Sequence, residues 1–118
     1  MEMDKDNQPR IFQYSVQDAL KPQNLLDISN EQVDDHWNLY KGYVKQVNAL
    51  NNELDELRDH GELNSLMYAD RRRRYGFEYN GMVLHEYYFG NLIGGENELR
   101  ECPLKQAIVR TFGSYNNW

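Results

Sequence analysis

The stretch from Ser29 to Gly61, SNEQVDDHWNLYKGYVKQVNALNNELDELRDHG, decides the fold. Ser29 and Gln32 form a capping box: the hydroxyl takes the free amide three residues on, and the Gln side chain returns the bond. Behind this start His36, Tyr40, Tyr43, Val47, Leu50, Leu54 and Leu57 recur at alternating spacings of four and three, a 3.5-residue seam. Gly61, directly after His60, supplies a left-handed C-cap, so the spacing predicts one long helix from about Asn30 to about Asp59.

A helix with one apolar seam needs a facing element, and the chain turns back at His60-Gly61. His36 stands 24 residues before His60 and His85 stands 24 residues after Gly61. At about 1.5 Å per residue each arm is roughly 36 Å long, which brings the two imidazoles of an antiparallel hairpin to the same level. The return segment is less regular. Gly76 and Gly81 interrupt it, and the four residues Arg71 to Arg74 cannot share one face. We expect a helical piece near Ser65 to Tyr75, a break, and a second piece from Glu78. In that piece Met82, His85, Phe89 and Leu92 are spaced three, four and three, and Gly94-Gly95 ends it.

Pro103, suited to a first helical turn, opens a third helix presenting Leu104, Ala107, Ile108 and Phe112 before Gly113 stops it. Ser114 reads as the N-cap of a fourth helix that barely begins. The expected fold is all-α, with no convincing strand: a long antiparallel helical hairpin followed by one or two short helices. By segment, 1–28 form a tail and an irregular lead-in, 29–95 the hairpin, and 96–118 truncated short helices. Residues 1–10 read as a flexible tail, while Phe12, Tyr14, Leu20, Leu25 and Leu26 of the lead-in are available for packing.

Composition excludes several classes. Nineteen acidic residues against thirteen basic ones give a net charge of -6, and Arg71 to Arg74 is the only basic cluster, which argues against a nucleic-acid partner. Its expected role is that of a solvated loop or helix end. No apolar run has the length of a membrane span, and the polar stretch from Met1 to Arg10 lacks the core of a secretion signal. The expected setting is cytoplasmic. Cys102, alone in the chain, forms neither an internal disulfide nor a thiolate metal site and reads as a small packed residue. Trp37, Tyr75, Phe77, Tyr87 and Trp118 lie beyond the seam, more apolar surface than two helices can bury, which calls for a partner.

His36 and His85 on facing seams are either two satisfied core imidazoles or half of a metal site. Neutral imidazole suits Zn, Fe, Mn or Cu, and a hard redox ion also wants carboxylate oxygen. Asp34 and Asp35 point to other faces of the helix, and His60 sits solvated at the turn. A di-iron bundle requires Glu three residues before His, but Val33, Leu57 and Met82 occupy those places. His85-Glu86 begins like a zinc-protease helix, yet Phe89 stands where the second histidine belongs.

The same residues carry a resemblance. Ile28-Ser29, His36, Tyr43-Val44 and Asn48-x-Leu50, then Asn80-Gly81-Met82-Val83-Leu84-His85-Glu86-Tyr87-Tyr88-Phe89, then Phe112-Gly113-Ser114 and Trp118, resemble the iron/manganese superoxide dismutases in order and separation. The resemblance implies the N-terminal helical hairpin of that fold, with His36 and His85 as ligands to one Mn or Fe ion. It implies Tyr43 as the tyrosine beside the substrate pocket, and Tyr88 and Phe89 as the pocket's aromatic wall. Departures accompany it. One residue fewer separates His36 from Tyr43-Val44, so either a helix bulge is missing or His36 is turned by about 100°. Tyr40 and Lys41 replace a usual histidine pair, and Gly81, where iron-type members often carry glutamine, is more like the manganese type. The family's α/β C-terminal domain, whose Asp-x-Trp-x-x-His block supplies the other aspartate and histidine ligands, has no counterpart here. The implied function is therefore the N-terminal half of an antioxidant enzyme that converts two superoxide ions to oxygen and hydrogen peroxide. It would be inactive alone and completed by a C-terminal half on a separate chain, in a dimeric or larger assembly. The alternative is a non-catalytic helical interaction module, or a truncated product, derived from that family.

Overall fold

Helix α1 spans Asn30–Asp59, α2 spans Leu66–Gly90 and α3 spans Pro103–Phe112, with short 3-10 turns at Asp18–Leu20 and Tyr115–Asn117. The computed structural model describes residues 12–92 and 98–118, and among them there is no strand. The N-terminal tail and the Gly94-Gly95 terminator lie outside the described residues.

α1 starts and stops where its sequence says. Ser29 Oγ accepts from the Gln32 amide at 3.1 Å and Gln32 Oε1 accepts from the Ser29 amide at 3.1 Å, closing the capping box. At the other end Gly61 adopts φ 72°, a left-handed conformation that favours glycine. Ser65 Oγ caps α2 by accepting from the Tyr68 amide at 3.0 Å. α2 then runs without the expected break. Two glycines cost about 1 kcal/mol each relative to alanine, but the stripe Glu78, Met82 and Phe89 is buried on this helix. Burying an apolar side chain of that size contributes about 1.5–3 kcal/mol, enough to carry the helix through Gly76 and Gly81. It ends at Gly90, with Asn91 as its cap, so Leu92 lies outside the helix and the expected stop at Gly94-Gly95 is not what ends it.

The contacts between arms give their direction. His36 meets Phe89, Tyr43 meets His85, and Glu53 pairs with Arg71. Rising numbers on one arm match falling numbers on the other, so α1 and α2 are antiparallel. The shared core comprises Trp37, Tyr40, Val44, Val47, Met82 and Phe89. This corrects the heptad reading: Trp37, expected beyond the seam, is buried at 4% exposure, whereas His36, Tyr43 and Leu57 are only half-buried. A globular helix buries a stripe wider than a two-position seam. Here its deepest line is Val33, Trp37, Tyr40, Val44 and Val47, and the histidine and tyrosine ride its flank.

The lead-in is strapped to this core. Asn48, on α1, accepts from the Tyr14 amide at 2.8 Å and donates to the Tyr14 carbonyl at 2.9 Å. Tyr40, with no exposed surface, accepts from the Gln17 amide at 3.1 Å and donates to Glu86 Oε2 at 3.1 Å. One hydroxyl thus ties lead-in, α1 and α2 together. Tyr14, Val16 and Leu20 pack on the core, while Phe12 and Leu26 stay exposed. Among the described elements α3 packs against the C-terminal 3-10 turn and not against the hairpin. Ile108 is buried, but Leu104, Phe112 and Trp118 are exposed. Ser114 Oγ accepts from the Asn117 amide at 3.2 Å, so the helix begun there amounts to one turn.

Candidate metal centre

The equal arm lengths deliver the two imidazoles to one place: the His36 and His85 ring centroids lie 4.9 Å apart, edge to face. α1 is an unbroken α-helix, without a bulge, and His36 still faces His85. Both are half-buried, so their rings border solvent rather than the centre of the core.

His85 is oriented by its own helix. Its Nδ1 lies 2.5 Å from the Gly81 carbonyl oxygen. Since a carbonyl can only accept, Nδ1 carries the proton, and the lone pair of the neutral ring is on Nε2. A backbone partner on one imidazole nitrogen is the usual way in which a metal-ligating histidine is held and its tautomer fixed. His36 is kept neutral by its surroundings: burial first, and then the adjacent His85 ring, push it below the ordinary histidine value. The donor set is thus two imidazoles, a group that in its neutral form suits Fe, Mn, Zn or Cu. Among the described residues no group of three or more His, Cys, Asp or Glu side chains could hold a metal ion. By donor chemistry the pair could fill two positions around such an ion.

The other expected residues gather here too. The Tyr43 ring centroid lies 5.1 Å from that of His85, and Tyr88 and Phe89 lie 5.0 and 4.9 Å from His36. Phe89 is also a core residue, 4.9 Å from Trp37. Asp34 is occupied elsewhere by Lys21, at 2.6 Å, and His60 is exposed at the turn with Nδ1 on the Glu56 carbonyl.

Sequence reasoning missed why position 81 is glycine. A Cβ built there would lie 2.8 Å from Tyr43 Cζ and overlap Cε1 and Cδ1 of the same ring. Gly81 therefore seats Tyr43 with its bare Cα while its carbonyl orients His85. It also missed Tyr40 as the hydrogen-bonding hub. The available signal was a hydroxyl-bearing aromatic at a core position, where a partner is nearly obligatory.

Fold and site together define a helical chain that brings two imidazoles together from the two arms of a hairpin. No protein-family model matches it. Relatives do: the chain is 41% identical over 109 residues to the Fe superoxide dismutase of Aquifex aeolicus (strain VF5), a match covering 87% of this chain and 51% of that protein. It is 34% identical over 99 residues to the Fe superoxide dismutase of Cupriavidus metallidurans, covering 83% and 49%. Against Mn superoxide dismutase 1 of Haloferax volcanii the identity is 30% over 115 residues, covering 98% and 54%. The chain belongs to the iron/manganese superoxide dismutase family, as the counterpart of its N-terminal helical portion. It spans about half the length of the curated relatives it matches.

Proposed function

We propose that this chain is the N-terminal half of a superoxide dismutase centre, in which His36 and His85 hold one iron or manganese ion and a C-terminal half supplies the remaining aspartate and histidine. The observation that carries the reading is the imidazole pair itself, with the His85 proton held on Nδ1 by the Gly81 carbonyl and His36 beside it. The ion would supply the one-electron oxidation and reduction by which two superoxide ions and two protons become oxygen and hydrogen peroxide.

The chain's own residues do the positioning. Gly81 fixes the plane of His85 and leaves Nε2 to ligate, and partial burial keeps His36 neutral so that its lone pair is available. Tyr43 borders the site beside His85, and Tyr88 and Phe89 exclude water along the His36 edge. The C-terminal half as a separate chain, a dimeric or larger assembly and a cytoplasmic setting belong to the same proposal. Uncovered apolar side chains support the need for a further half, with Leu84 63%, Tyr87 66% and Trp118 66% exposed. Among the described residues no helix is long and apolar enough to cross a membrane.

The chain mixed with the C-terminal half of the Aquifex aeolicus relative should form a complex holding close to one Fe or Mn per site and consuming superoxide. His36→Ala and His85→Ala should each lose both properties. A complex that forms but stays metal-free refutes the proposal. The same exposed apolar faces support a second reading, a non-catalytic interaction module. It expects His36→Ala and His85→Ala to leave complex formation intact while the unsubstituted complex carries no stoichiometric metal.

A further inference from the structure

The run Arg71 to Arg74 takes no part in the imidazole chemistry. Arg73 precedes His85 by twelve residues of continuous helix, about 18 Å. Three of the four arginines, Arg71, Arg73 and Arg74, have different fates. Arg71 reaches across the hairpin, its Nε 2.5 Å from Glu53 Oε2 and its Nη1 3.3 Å from Asp70 Oδ2. Arg74 directs Nε and Nη2 onto Oε1 of the buried Glu78, at 2.8 and 2.6 Å. Arg73, among the described residues, is engaged by no carboxylate.

These guanidinium groups line a cleft of about 590 Å³ between the arms, with Leu50 and Phe77 as its apolar surfaces. That volume lies within the range of small-molecule sites. The Phe77 ring is 60% exposed, and the Arg74 guanidinium carbon lies 5.2 Å from its centroid. Glu53 and Asp70 also border the cleft, but both are held by Arg71, which blunts their repulsion of an anion. The cleft thus sets a guanidinium that has no carboxylate partner among the described residues beside an exposed aromatic ring, one face of which Arg74 covers. Unused donors remain at Arg74 Nη1 and Arg71 Nη2.

We propose that this cleft binds a phosphorylated compound carrying a planar ring, of the mononucleotide class. The phosphate takes the fork of Arg73, and the ring lies on Phe77 above Leu50. A planar guanidinium with parallel N–H donors matches a phosphate better than a point charge does, and an aromatic face accepts a ring without requiring a particular base.

Titration calorimetry of the full chain with AMP, adenosine and inorganic phosphate at fixed ionic strength tests this. AMP should bind with a dissociation constant below about 1 mM, and adenosine and phosphate should each bind at least about tenfold more weakly. Arg73→Gln and Phe77→Ala, both at exposed positions, should each weaken AMP binding by at least about tenfold. His85→Ala should leave it unchanged, so loss of the metal reading and loss of this one are separable. The proposal is overturned if AMP gives no saturable heat, if phosphate binds as tightly as AMP, or if both cleft variants keep the original affinity.

Discussion

Gly81→Ala and Gly76→Ala make the same chemical change in the same helix and should shift stability in opposite directions. At Gly76 a new Cβ meets nothing within 4 Å, so alanine brings only its better helix propensity, about 0.5–1 kcal/mol of added stability. At Gly81 the Cβ lies 2.8 Å from Tyr43 Cζ and overlaps two further ring atoms. Non-bonded carbons settle at about 3.5–4.0 Å, so the ring must retreat by about 1 Å or more. Overpacking of this kind costs about 1–3 kcal/mol, which in mid-range outweighs the propensity gain by about 1 kcal/mol. For a domain of this size 1 kcal/mol moves the midpoint by about 4 °C. Urea and thermal unfolding of the two variants should therefore diverge, with Gly76→Ala above the parent and Gly81→Ala below it. Because the displaced group is the Tyr43 ring, Tyr43→Ala should relieve the clash, giving a coupling of at least about 1 kcal/mol in the double-mutant cycle. Should Gly81→Ala stabilise as much as Gly76→Ala, or the cycle prove additive, the seating of Tyr43 on Gly81 is refuted.

Two further outcomes follow from the strap that holds the lead-in. Asn48→Ala removes both side-chain bonds to the Tyr14 backbone, and should cost about 2 kcal/mol and accelerate hydrogen exchange at the Tyr14 amide; unchanged exchange there would show that the strap holds by ring packing alone. Burial, and then the neighbouring Tyr75 and Tyr79, push the Tyr14 phenol from 10.0 up to about 12. Folding favours its neutral form, so its contribution is fully present below pH 10 and is lost as pH rises towards 12. In Tyr14→Phe the alkaline decline of stability over that window should be shallower, and an unaltered profile in denaturant titrations between pH 9 and 12 contradicts this.

The ends of α1 and α3 and the meeting of the histidines were legible along the chain. Caps are local: Ser29 with Gln32, the left-handed Gly61 and Pro103 at a first turn act within a few residues, so reading along the chain found α1 and α3 as they stand. Equal arm lengths are also a property of the chain, since a constant rise per residue makes position in sequence a measure of height. That is why His36 and His85 could be paired before any coordinates.

The features that depend on packing lie across the seam. Local propensity spoke for a break at Gly76, but α2 is continuous, because burial of Met82 and Phe89 against α1 outweighs two glycines. A strict heptad placed His36 and Tyr43 in the seam, whereas the wider stripe sinks Trp37 and Val44 and lifts those two side chains to its border. The close approach of Tyr43 to Gly81 and the joining of Gln17, Tyr40 and Glu86 through one hydroxyl arise from residues distant in sequence. The chain's local chemistry thus set where its helices begin and the level at which the imidazoles stand, and the packing of one helix on the other set how those imidazoles are held.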